Sequence, residues 1–304
     1  MKNRKKTILI ASIAGIILIG IVYMIHTANK KREMWSVTYA NNDTRPYGTY
    51  ITYQLLEDVF NPKEIKSTRK PIYNNLKDSL SRYFYYPEDN EYERSTIIEN
   101  TSLYDYEESD TLTQHSDTLP KEDQLEEKID PLAFYKNMTI KDTISYLFVN
   151  SSFSVQDSEL KYLLNFVGLG NNVFISAENF SYNLMDTLGI RSNTQYSSSD
   201  TIYTLTDYNK KAFAISPLYY RAKLNADSCK LPVKVLGRSN INNDTIFMQV
   251  KYGCGNFYFH TIPTAFVNIN MLKLDKYDFG FRCLSYLPYN NKIMGRIPNT
   301  GICE

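Results

Sequence analysis

Apolar positions are spread unevenly along this chain, and the densest run comes first. Residues 7–24 carry no charged side chain, and eighteen residues of helix span about 27 Å, close to the thickness of bilayer hydrocarbon. The apolar core of a secretory signal is usually shorter, and its cleavage site needs small residues at spacing two. Tyr23-Met24-Ile25-His26-Thr27-Ala28 offers only Ala28, with His26 two positions before it. The segment is therefore expected to stay as a transmembrane anchor over 7–25, between a basic flank (1–6) and a juxtamembrane linker (26–40). Lys2, Arg4, Lys5 and Lys6 precede it, and Lys30, Lys31 and Arg32 follow. Four basic residues against three favour the amino terminus inside.

Beyond the anchor the pattern is that of a folded domain, expected over 41–288. Asp43-Thr44-Arg45-Pro46 supplies a capping residue and a first-turn proline. Ile51, Leu55 and Val59 then recur every four residues up to Asn61-Pro62, which predicts a first helix with one apolar stripe. Ile144-Ser145-Tyr146-Leu147-Phe148-Val149 is almost continuously apolar, as in a strand buried on both faces. Ser154-Val155-Gln156-Asp157 resembles a capping box with Asp in place of Glu, and Leu160, Leu163, Leu164 and Val167 form a helical stripe that Gly168 and Gly170 stop. Val173-Phe174-Ile175-Ser176 starts a second buried strand. This strand-helix-strand unit has the length a crossover between parallel strands needs, so it predicts an α/β fold, a layered parallel sheet with flanking helices.

After Gly189 the texture changes to alternating segments: 201–205, 233–236 and 245–251, expected as strands at the margin of the sheet. Tyr252-Gly253-Cys254-Gly255-Asn256 reads as a hairpin turn into Phe257-Tyr258-Phe259-His260, with glycines where positive φ is needed. Pro263 ends that strand, and a helix is expected through 281–287.

Composition narrows the function classes. With 43% hydrophobic and 14% aromatic residues the chain has material for a real core, so disorder throughout is excluded. A net charge of +1, with no arginine-rich stripe after Arg32, sets nucleic-acid binding aside. The 26 tyrosines favour strands and amphipathic surfaces. Residues 105–130 hold ten acidic side chains against Lys121 and Lys128. This stretch is expected to be a solvated, mobile insertion, since it lacks the glycine and ligand spacing of a calcium loop. Cys229, Cys254, Cys283 and Cys303 form no C-x-x-C pair and have no histidine at ligand spacing. Free thiols are expected, and neither a metal nor a cofactor.

Three blocks stand in a telling order. They are Arg45-Pro46-Tyr47-Gly48-Thr49-Tyr50 with Leu55-Leu56; the strand-helix-strand unit through Phe174-Ile175-Ser176-Ala177-Glu178; and Gly253-x-Gly255 with His260-Thr261-Ile262-Pro263-Thr264-Ala265-Phe266-x-Asn268. Together, over most of 40–288, they resemble the bacterial domain-of-unknown-function family numbered 4350, in its Bacteroidetes-like form. The resemblance implies a domain similar to class I glutamine amidotransferases on a membrane-anchored protein. It also implies an AAA-type ATPase system as a partner, while the anchor itself contacts membrane lipid and, with the amino terminus inside, sets the domain on the periplasmic side of the bacterial cytoplasmic membrane.

An amidotransferase needs a thiolate on a sharp strand-to-helix turn and a histidine to activate it. The corresponding turn reads Ser176-Ala177-Glu178-Asn179, without cysteine. Of the three histidines, His26 lies beside the anchor and His115 in the acidic insertion. His260 alone falls in structured sequence, where a packed, hydrogen-bonded role is expected ahead of pairing with Cys254, because a hairpin sets those two on local strand geometry and not on a nucleophile elbow. No catalytic residue is assigned, and the expected function is non-catalytic binding or scaffolding of a partner protein or small ligand. The alternative is a degenerate hydrolase or transferase using Glu178 or His260. Ligands of open α/β sheets sit beyond the carboxyl ends of the strands, so the candidate binding residues are Asn150, Ser152, Glu178 and Asn179, joined by Arg45 and Tyr47 at the entrance of the first helix. For Asn150 and Ser152 helix capping is the competing role, and for Arg45 pairing with an acidic neighbour.

The resembled family continues past Leu284-Ser285-Tyr286-Leu287-Pro288 with Trp-Asp-Glu-Tyr, where this chain has Met294-Gly295-Arg296-Ile297-Pro298. Met is encoded only by ATG and Gly codons begin with G, so reading one base later forces tryptophan. Codons for the next residues permit Asp, Glu and Tyr. Residues 289–304 are accordingly expected to be a non-native tail that follows a frameshift near residue 293.

Overall fold

The computed structural model describes residues 2–59, 65–81, 143–196, 201–207, 211–215, 218, 220–288 and 292–296, with backbone alone for 2–12, 29–33, 59, 77–81, 201, 221 and 292–296. The elements run α1 Lys2–Met34, α2 Tyr50–Val59, β1 Ile65–Thr68, α3 Ile72–Ser81, β2 Ile144–Val149, β3 Ser152–Phe153, α4 Asp157–Gly168, β4 Asn172–Ser176, β5 Asn179–Phe180 and α5 Tyr182–Thr187. There follow β6 Arg191–Tyr196, β7 Thr201–Leu205, β8 Ala212–Ile215, β9 Tyr220–Asn225, β10 Val233–Ser239, β11 Thr245–Tyr252 and β12 Gly255–His260. A 3-10 turn at Pro263–Phe266, α6 Asn268–Met271, α7 Tyr277–Leu284 and β13 Lys292–Arg296 complete the order. The acidic stretch 105–130, His115 and Cys303 lie outside the described residues.

The fold is mixed α/β. One large sheet has the order β1-β13-β2-β4-β12-β11-β10-β7-β8, with β9 beside β11 and β6 beside β9. The β2-α4-β4 unit pairs in parallel, Ser145 opposite Asn172 through Val149 opposite Ser176, and β12 continues the parallel ladder from Asn256 opposite Asn172 to His260 opposite Ser176. The expectation of a parallel sheet holds only for this half. From β12 through β11, β10, β7 and β8 every pairing is antiparallel. The reason is connection length: a tight turn returns the chain antiparallel, whereas a parallel neighbour needs a crossover. It also places β11 inside the sheet rather than at its margin. Residues 292–296, within the expected tail, form β13 between β1 and β2.

Side-chain alternation divides the core between the two faces of the sheet. Tyr146, Phe148, Val173, Ile175, Phe257 and Phe259 pack on one face against Leu160, Leu163, Phe166 and Val167 of α4. Leu147, Phe174 and Tyr258 pack on the other against Phe266, Phe279 and Cys283. Leu164 is only half-buried, so the stripe of α4 runs through Phe166 instead. The capping box is not formed: Gln156 occupies the cap position without a side-chain bond. The β11–β12 turn needs both of its glycines, for different reasons. Gly253 has φ +58°, and a Cβ on Gly255 would stand 2.0 Å from the Asn171 carbonyl oxygen and 2.2 Å from that of Val167.

The first helix begins later than predicted, at Tyr50. The Asp43 carboxylate accepts bonds from the Arg45 amide and guanidinium rather than from a helix end. The helical amide of Ile51 donates instead to Asn268 Oδ1, 2.9 Å away and 217 residues on in the chain. Thr52 and Leu56 form the buried stripe in place of Ile51 and Leu55. The expected linker, 26–40, is helical to Met34, after which the Trp35 ring meets Tyr47 edge to face and Ser36 accepts a bond from Arg45. Among the described residues no helix is long and apolar enough to cross a membrane. Side chains 7–12 of the expected span lie outside those residues.

Candidate functional site

The carboxyl ends of β2, β4 and β12 are drawn together by backbone bonds. The Asn150 amide donates to the Ser176 carbonyl, the Ala177 amide to the His260 carbonyl, and the amides of Glu178 and Asn179 both donate to the Ser151 carbonyl. A two-residue parallel ladder then sets Ser152 opposite Asn179. Four of the residues expected at the site therefore share one end of the sheet: Asn150, Ser152, Glu178 and Asn179. Thr194, which the sequence did not single out, holds this corner by donating to the Glu178 carbonyl and lying 3.2 Å from Asn179 Oδ1.

Glu178 is the unusual member. Its side chain is 4% exposed and its Oε1 has no hydrogen-bond partner. Burial pushes its carboxyl up to about 7, because a charge removed from water without a compensating bond is costly. Near it lies Tyr39, also buried, whose hydroxyl likewise lacks a partner. Burial raises that phenol well above its ordinary value, and the charges of Glu178 and Tyr47 raise it further. Tyr39 is held with φ at 49°, a left-handed conformation that costs a non-glycine residue about 1–2 kcal/mol. Its amide donates to the Tyr47 carbonyl and its carbonyl accepts from the Thr49 hydroxyl, which keep it there.

Asn268 fastens this loop to the sheet. It is 2% exposed, and its amide group donates to the carbonyls of Asp43 at 2.8 Å and Arg45 at 2.6 Å while its oxygen caps α2. Arg45 is committed elsewhere, with Asp43 and Ser36 as partners. Burial opposes ionisation of Asp43, but the Arg45 guanidinium and the Thr38 hydroxyl outweigh it and hold the carboxyl below its ordinary range.

His260 does not meet Cys254, which lies at the opposite end of β12. Its Nδ1 is 2.8 Å from Ser176 Oγ and its Nε2 is 3.6 Å from Cys283 Sγ, a sulfur delivered by α7. The three groups are enclosed by Phe174, Phe247, Phe266 and Phe279, and none is more than 0% exposed. Burial lowers the imidazole to about 3 and raises the thiol well above its ordinary value. Both shifts oppose the thiolate and imidazolium that cysteine nucleophiles use. Cys229 and Cys254 likewise form no disulfide. Among the described residues no three His, Cys, Asp or Glu side chains converge as metal ligands would.

No family model and no curated protein matches this chain. Solved structures with some likeness include the mmIFT52 N-terminal domain, with TM-score 0.37 and 12% identity over 47% of this chain and 75% of that one. Others are the exo-β-1,4-mannosidase Op5Man5 from Opitutaceae bacterium strain TAV5 (TM-score 0.32, 9% identity, 47% of this chain) and the β-galactosidase from Bacillus circulans sp. alkalophilus (TM-score 0.29, 11% identity, 40% of this chain). The chain spans 23% and 20% of those two glycosidases. Likeness at these scores carries no argument about function.

Proposed function

We propose that this protein is a non-catalytic, membrane-tethered recognition domain of the bacterial cell envelope, with an amidotransferase-like scaffold that binds a partner protein or small ligand at the strand ends around Glu178. The observation that carries the reading is the pair of buried, unpartnered polar atoms, Glu178 Oε1 at the carboxyl ends of the parallel strands and Tyr39 Oη near it. Buried polar groups are ordinarily satisfied, and each orphan costs about 1–3 kcal/mol. Such a cost persists where a ligand or a moving partner supplies the missing bond. The tether, residues 7–25, confines the domain to the periplasmic face of the cytoplasmic membrane and raises its effective concentration near other membrane components. An AAA-type ATPase system is the partner the family resemblance suggests.

The degenerate hydrolase or transferase reading requires a substrate to reach His260 or Glu178. The complete burial of His260 weighs against the first of these.

The test is photo-crosslinking in intact cells from a reactive residue placed at Asn179, which is exposed beside Glu178. The expected result is one reproducible adduct that is lost when Glu178→Ala is added. Recovery of no specific adduct under several growth conditions, or an adduct indifferent to Glu178, would overturn the proposal.

A further inference from the structure

The segment after α6 breaks the usual economy of a folded surface. Leu272 is 74% exposed and Leu274 89% exposed, with Tyr277 at 40%. Yet the backbone here is well bonded: the Leu272 amide donates to Asn268, and the amides of Lys276 and Tyr277 both donate to the Lys273 carbonyl. Scattered single leucines need no explanation, but two on one short, ordered turn form a projecting apolar tip. Lys273 and Asp275 beside them are exposed and Lys276 is half-exposed, so the turn carries two positive charges against one negative.

The position of this tip says what covers it. The Ile269 amide donates to the Pro46 carbonyl and the Asn268 amide to that of Gly48. Tyr47, between those two, meets the ring of Trp35, the residue immediately after α1. Trp35 is itself 45% exposed. The apolar tip thus lies at the end of the domain where the tether arrives. Tryptophan and tyrosine favour the headgroup level of a bilayer, leucines insert below it, and lysines near the surface attract anionic lipid.

We infer that Trp35, Leu272, Leu274 and Tyr277, with Lys273 and Lys276, form a lipid-docking surface that seats the domain on the bilayer its own tether enters. This rests on the anchor reading above. The domain is then held in one orientation instead of swinging on a linker.

Trp35 is the single tryptophan of the chain, so fluorescence reports on it directly. The full chain is reconstituted into vesicles of phosphatidylcholine and phosphatidylglycerol and recovered by flotation. Trp35 emission is then quenched either by brominated lipid or by aqueous iodide. Two further single-tryptophan chains, both carrying Trp35→Phe, have Leu274→Trp at the tip and Lys251→Trp at the far, hairpin end of β11. Trp35 and the tip position are expected to be quenched at least twofold by the lipid-borne bromine and shielded from iodide relative to the far position. A chain that floats while its tip is as open to iodide as the far position would overturn the docking and leave the anchor standing. Shielding from iodide without quenching by bromine would also overturn it, by assigning the tip to a protein contact. A chain that does not float refutes the anchor and the docking together.

Discussion

Ionisation of Glu178 should leave a clear mark on stability. Its carboxyl lies at about 7 in the folded chain against an ordinary value of 4.5. At about 1.4 kcal/mol per pH unit of displacement that corresponds to about 3 kcal/mol, taken as about 2–3 kcal/mol because the effective dielectric response around buried charges lowers such energies. Between those two pH values the folded chain holds a proton that the unfolded chain has released. The contribution of Glu178 is therefore complete below about pH 4.5 and lost as pH rises through about 7. His260 has the opposite sign. Its imidazole is held down to about 3, so its contribution, on the order of 5 kcal/mol, is complete above about pH 6.5 and lost on acidification through 3. Between about pH 4.5 and 6.5 the two slopes nearly cancel, and the wild-type chain should be almost flat there. Glu178→Gln removes one of them. In detergent micelles, urea unfolding at half-unit steps from pH 4 to pH 8 should show the variant gaining about 2–3 kcal/mol on wild type from the acid end to the alkaline end. Parallel profiles for the two chains would show that Glu178 is not a buried, unpaired carboxyl.

Asn268→Ala leaves two carbonyls and one helix-end amide without their partner and should lower stability by about 3–5 kcal/mol, read from the urea midpoint. Asn268→Asp, which keeps only the acceptor, should rescue little of it. Gly255→Ala forces a methyl group into two backbone oxygens and should cost at least about 3 kcal/mol, or abolish folding in expression trials. Gly253→Ala should cost about 1–2 kcal/mol for its left-handed φ, with a further penalty where its Cβ would meet Gly168 at 2.8 Å.

The parts legible in the sequence are those written in local periodicity. The β2-α4-β4 unit could be read because a run buried on both faces, a helical stripe and a stopping glycine are signals confined to 33 residues. The β11–β12 hairpin was legible for the same reason. The start of α2 was misread because Asp43 and Pro46 look like a cap, whereas the amide of Ile51 is satisfied by Asn268 from the far end of the chain. No local signal encodes that. Glu178 was found from the rule that ligands gather at strand ends, while Tyr39 was not. Its place beside Glu178 is fixed by bonds to Tyr47 and Thr49, and through them by Asn268. The packed, hydrogen-bonded role expected of His260 is the one it plays, against Ser176, but the sulfur beside it could not be read from the sequence. Strand β12 carries Cys254 and His260 apart, and α7 brings Cys283 back.

The central claim, that this scaffold recognises without reacting, is tested most directly by the rate at which iodoacetamide alkylates Cys283 in the native full chain, followed by peptide mass spectrometry between pH 6 and 9. A thiol sealed against a neutral imidazole should react only as fast as the chain unfolds, far more slowly than the half-buried Cys229 and Cys254. Rapid modification of Cys283 at pH 6, faster than that of the other two, would reveal an activated nucleophile and contradict the account.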